Sequence, residues 1–125
     1  MEKNNGISIR DMQNKMLEML IYFDDFCTKH NLMYYLAGGC LIGVERHKGF
    51  IPWDDDVDLF MPRSDYERLK VEWPKYADTS KYVYCITDKY HNYHDGGASI
   101  RDINTTYINR HSVQEDIVHG FALEI

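Results

Sequence analysis

From Ile9 onward, apolar side chains return at steps of three and four: Met12, Met16, Leu20, Phe23 and Cys27. That period winds one apolar stripe along an α-helix and turns it toward a core. Ser8 followed by Asp11 has the spacing of a capping box, and His30-Asn31 closes the helix. A stripe so rich in methionine is core packing and carries no functional weight.

Beyond the helix the period shortens. Met33-Tyr34-Tyr35-Leu36-Ala37 reads as a strand, Gly38-Gly39 as a break, and Cys40 to Arg46 as a brief helix, followed by a turn at His47-Lys48-Gly49-Phe50. Asp56-Val57-Asp58-Leu59-Phe60-Met61 reads as a strand entering the core and ended by Pro62. A second capping box, Ser64-Asp65-Tyr66-Glu67, opens a helix expected to stop at Trp73, before Pro74. Lys81 to Thr87 is a strand, and Ala98–Arg101 and Thr105–Ile108 are strands around an Asp102-Ile103-Asn104 turn. Gly120 to Ile125 is a last apolar strand carrying one carboxylate, Glu124. The fold class is α/β (α+β): a mixed sheet with helices against it.

Length and composition narrow this picture. A chain of 125 residues is one domain, and an apolar fraction of 44% is that of an ordinary globular protein. Ten tyrosines suit half-buried positions. A net charge of −6 provides no basic field for nucleic acid. Three cysteines without a CxxC pair, and no secretory leader, imply free thiols in a reducing, cytoplasmic compartment. Without such a leader, the sequon at Asn104-Thr105-Thr106 carries no meaning. No apolar run approaches the ~20 residues of a membrane span.

The acid is concentrated. Asp54, Asp55, Asp56 and Asp58 lie within five residues of one another, beside Ile51, Trp53, Val57, Leu59, Phe60 and Met61. Strand alternation puts Asp54, Asp56 and Asp58 on one face, with Asp55 and Val57 on the other; for Asp54 this requires the extended geometry to reach back that far. Such carboxylates either face water at a solvated edge or share a cation. The apolar company favours the cation, and hard oxygen donors suit Mg²⁺ or Mn²⁺. An EF-hand does not fit, because Leu59 stands where the loop needs glycine and Pro62 interrupts it. Gly38-Gly39 before a helix start could admit a phosphate, although paired glycines more often mark a plain turn. His91-x-x-His94-Asp95, with no cysteines nearby, reads as a solvated loop.

Ala37-Gly38-Gly39, Asp56-Val57-Asp58-Leu59 and Leu123-Glu124-Ile125 resemble the three-part signature of the nucleotidyltransferase superfamily. More narrowly, Leu41-Ile42-Gly43, Arg46 through Asp58 and Met61-Pro62-Arg63 look like the LicD family, which includes bacterial phosphocholine transferases and is related to the fukutin proteins. Ser99 to Thr106 is similar to a weaker family segment. Glu124 stands where the family is expected to carry aspartate; the wider superfamily accepts either carboxylate.

The resemblance implies a single nucleotidyltransferase-fold core over residues 1–125, the N-terminal part of a longer protein. It implies transfer of phosphocholine from CDP-choline to a cell-surface glycan hydroxyl (lipopolysaccharide or teichoic acid), with CMP leaving, at the cytoplasmic face of the membrane. Asp56 and Asp58 would hold Mg²⁺, and Asp54 would be a third ligand or an outer group. Glu124 would complete the site or accept the hydroxyl proton. Gly38 and Gly39 would cradle phosphate, and Lys48 and Arg101 would offset developing charge. Trp53 is expected to pack as a wedge beside the metal strand. Two other readings stay open: nucleotidyl transfer on the same fold, and a non-catalytic domain that binds a nucleotide or partner protein.

Overall fold

The computed structural model describes residues 8–53, 56–87, 89, 97–105 and 120–125. Helix α1 spans Ile9–His30. Ser8 and Asp11 cap each other reciprocally at its start, and Asn31 ends it in the left-handed conformation at φ 55°. Strand β1 (Tyr35–Ala37) leads without a break into α2 (Gly38–His47). Then follow β2 (Val57–Phe60), α3 (Arg63–Tyr76), β3 (Tyr82–Ile86), β4 (Ala98–Asp102) and β5 (Phe121–Glu124).

The five strands form one mixed sheet in the order β1-β2-β5-β4-β3. Only the central pair, β2 and β5, runs parallel. Its core-facing members Val57 and Leu123 are wholly buried, as suits a parallel pair at the middle of a sheet. Those two, with Leu59, Ile100, Phe121 and Tyr82, meet Met12, Met16, Met19, Phe23 and Phe26 of α1 and Leu69 and Trp73 of α3. The buried indole of Trp73 donates to the Tyr82 carbonyl at 3.0 Å, so it enters the core without an orphaned N–H. The fold is therefore the expected α+β arrangement.

Strands β1, β2, β3 and β5 are a residue or two shorter than expected at their ends, β4 is one longer, and helix boundaries differ as well. Helix α2 begins at Gly38, two residues before Cys40. Helix α3 begins at Arg63 after Pro62, and Ser64 caps nothing. The acids of that apparent box are engaged elsewhere: Asp65 accepts from the Met33 N–H at 2.9 Å, and Glu67 pairs with Arg63 at 2.7 Å. Nor does Pro74 stop α3, which runs on to Tyr76. Placed in the last turn, proline removes one i→i−4 bond where few remain to be lost. Of the expected strand Thr105–Ile108, all but Thr105 lies outside the described residues, as does His91-x-x-His94-Asp95.

Candidate active site

Alternation sorts the sheet into two faces. Val57 and Leu59 point into the core, while Asp58 and Phe60 point to the other face. On β5, Phe121 and Leu123 point inward, so Ala122 and Glu124 point outward. The register then makes Asp58 and Glu124 direct neighbours across the parallel pair, on strands ~4.8 Å apart. Ala37 lies on the other side of Asp58, and Ser99 on the other side of Glu124. One row across this face of the sheet therefore reads Ala37, Asp58, Glu124, Ser99.

The start of α2 closes over this row. Gly38 holds φ at +56°, and a Cβ built there would stand 3.7 Å from Asp58 Oδ2. That is ordinary contact, so backbone conformation rather than space calls for glycine. Ala37 gives α2 no side-chain cap, and the helix starts beside the carboxylate row. Gly39 follows inside the first turn, half-buried. Cys40, buried beneath, points its Sγ at the Asp56 carbonyl 3.5 Å away and ties the helix start to the residue before β2.

Asp56 is exposed just ahead of the strand, and Asp54 lies outside the described residues. Among the described residues no group of three or more His, Cys, Asp or Glu side chains is gathered as a metal site. What the fold brings together is the pair Asp58 and Glu124. Both are hard oxygen donors, and like charges at that spacing repel unless a cation lies between them. Among the described residues no ion pair involves Asp58. The donor chemistry suits Mg²⁺ or Mn²⁺.

Arg101 belongs to the same face, beside the pair. It is in register with Ala122, and its Nε donates to Ser99 Oγ at 2.9 Å. Lys48 is elsewhere. It is the C-cap of α2, ~15 Å along a ten-residue helix from Gly38. There, with Arg10, it lines a cavity of about 300 Å³ between α1 and α2, on the core side of the sheet. Trp53 is not a packing wedge: it is 72% exposed, with its ring centroid 6.4 Å from that of His47.

Two contributions are invisible in the acidic motif itself. Gln13 of α1 is buried, takes a bond from Arg10 at 3.1 Å, and donates to the carbonyls of Ile51 (3.0 Å) and Pro52 (3.4 Å). It thereby anchors the segment that leads into the aspartates. Its signal in the sequence was an amide at a position of the buried stripe, next to Met12. Asp102 is the second. It is 2% exposed on the core face, where Oδ1 accepts from the Asn104 N–H at 2.9 Å and Oδ2 lies 3.5 Å from Lys15 Nζ. Its carbonyl takes Thr105 Oγ1–H at 2.9 Å, and Thr105 Oγ1 in turn accepts from the Phe121 N–H. The Asp102–Thr105 turn thus fixes where β5 begins and, through it, where Glu124 stands.

Comparison with known proteins bears on the family of the chain. The family model described as LicD/FKTN/FKRP, nucleotidyltransferase domain, matches residues 31–121. A lipopolysaccharide cholinephosphotransferase, LicD, of Haemophilus influenzae is 46% identical over 67 residues, which cover 54% of this chain and 25% of that protein. An uncharacterized protein of Rickettsia prowazekii is 36% identical over 52 residues, 42% of this chain and 20% of the relative. The chain spans a quarter or less of the length of these relatives. No solved structure matches it at a significant level. No helix among the described residues is long and apolar enough to cross a membrane. With the family match covering α2, the acidic strand and the start of β5, the chain belongs to the LicD/FKTN/FKRP nucleotidyltransferase-domain family.

Proposed function

We propose that this domain transfers phosphocholine from CDP-choline to a glycan hydroxyl, with a divalent cation as cofactor, on the cytoplasmic side of the membrane. The observation that carries the reading is the in-register pair Asp58 and Glu124, facing outward at the N-terminal end of α2. The name of the Haemophilus relative supports the choice of transferred group.

Asp56, Asp58 and Glu124 would hold Mg²⁺ or Mn²⁺, with Asp54 as a further ligand or an outer group. When bound, the ion supplies neutralisation of charge on the diphosphate. The chain's own residues do the rest. The first N–H groups of α2, at Gly38 and Gly39, donate to phosphate oxygens. Arg101, braced by Ser99, faces the charge that builds on the departing CMP. The acceptor oxygen forms its bond to the choline-bearing phosphorus as the bond from that phosphorus to CMP breaks, and a carboxylate of the row takes the hydroxyl proton. Holding both partners in line provides most of the acceleration that such a site can offer.

The test is CMP release from CDP-choline, with a glycan acceptor and Mg²⁺ present, by wild type and Asp58→Asn. The variant is expected to fold normally and to lose at least ~100-fold in rate, the scale of removing one electrostatic contact to the reacting group. Equal turnover by Asp58→Asn, or release from CDP-glycerol as fast as from CDP-choline, contradicts the reading. Transfer of the nucleotidyl group itself would assign the reaction to the rival chemistry on the same fold.

A further inference from the structure

The same face that carries the carboxylate row carries a second, aromatic row. Phe60 lies two residues beyond Asp58 on β2, and therefore on its face, and Tyr35 of β1 is its direct cross-strand partner. Phe60 is 67% exposed and Tyr35 54%. Among the described residues neither ring stacks on another aromatic ring; the Tyr35 hydroxyl only approaches Met33 Sδ, at 4.0 Å. Other large aromatic side chains, such as Phe23, Phe26 and Trp73, are in the core. An exposed aromatic pair beside the edge of a sheet, Tyr35 on edge strand β1 and Phe60 on β2, is expected where it binds something.

We propose that Tyr35 and Phe60 form a subsite for a quaternary ammonium group, the choline head of the transferred phosphocholine. This rests on the phosphocholine reading above and adds the residues that recognise the head. Three features point to a cation. Aromatic faces attract quaternary ammonium ions through the ring quadrupole. The adjoining row is anionic, with Asp58 and Glu124 side by side. The two rows are one pleat repeat apart, ~7 Å along the strand, which is the order of span from a phosphorus to an ammonium joined through two carbons. A phosphate held at the start of α2 would thus lay its choline head over the Tyr35–Phe60 pair.

The experiment follows the ring resonances of Tyr35 and Phe60 by NMR during titration with choline, with its uncharged isostere 3,3-dimethylbutan-1-ol, and with CMP. Choline is expected to shift both rings, and the isostere to bind about fivefold or more weakly. Tyr35→Leu combined with Phe60→Leu keeps apolar bulk without π faces and is expected to lose choline binding by about fivefold or more, whereas Phe60→Trp retains it. Equal binding of the isostere, ring shifts caused by CMP and not by choline, or undiminished choline binding in the double leucine variant each overturns the subsite. The underlying reading fails separately. Wild type that binds choline at these rings yet transfers no phosphocholine refutes the transfer reaction alone. Double leucine protein that transfers phosphocholine with its preference over glycerol phosphate intact refutes the subsite alone.

Discussion

Cys27 lies in the core between α1 and its neighbours, and burial, followed by the charges of Asp24 and Asp65, pushes its thiol from 9.0 up to about 12. Tyr34 and Tyr82 are raised too, again chiefly by burial. For each group the fold favours the neutral form. That contribution is complete below the unfolded value and is lost as pH climbs from about 9 toward 12. The urea midpoint is therefore expected to be level between about pH 7 and 8.5 and to fall above about pH 9; a midpoint that rises there contradicts the burial account. At this scale the sequence was legible where period alone decides. Alternation correctly sets Val57 inward and Asp58 outward. Hydrophobicity misled for Trp53 and Phe60, both expected to help bury the strand, because it states a preference for the core and not whether room is left there. Phe60 obeys the same alternation that turns Asp58 outward, and that was the available signal.

Among the elements, α1 was readable from end to end because its stripe is long and both caps are local. Helix α3 was misread at both ends: Asp65 answers to the distant Met33 N–H, Glu67 pairs with Arg63 one turn back in the same helix, and the last turn tolerates Pro74. The most informative contact between elements is the reach of Gln13 from α1 to the Ile51 and Pro52 carbonyls. No local pattern could reveal it, since the partners are 38 and 39 positions apart. Gln13→Leu keeps the helix and the buried volume but leaves those carbonyls unsatisfied. It is expected to cost about 1–3 kcal/mol in urea unfolding and to weaken Mn²⁺ binding, because the acidic segment loses its anchor. A variant as stable as wild type, with unchanged Mn²⁺ affinity, would show that Gln13 anchors nothing of consequence.

For the whole molecule, the described helices α1 and α3 pack on one side of the mixed sheet, and the chemistry gathers on the other. The aspartate run gave away the acidic strand, and Glu124 stood out as the lone carboxylate of an apolar strand. Their pairing depends on a parallel register between strands far apart in the chain, which local periodicity does not encode. The central claim is that this register builds a cation site. Isothermal titration of Mn²⁺ into wild type and into Asp58→Asn tests it most directly. Wild type is expected to bind with measurable heat, and the variant to bind at least ~10-fold more weakly for loss of a charged ligand. Equal binding by the two proteins, or none by wild type, would mean that Asp58 and Glu124 are neighbours in the sheet without being partners in a metal site.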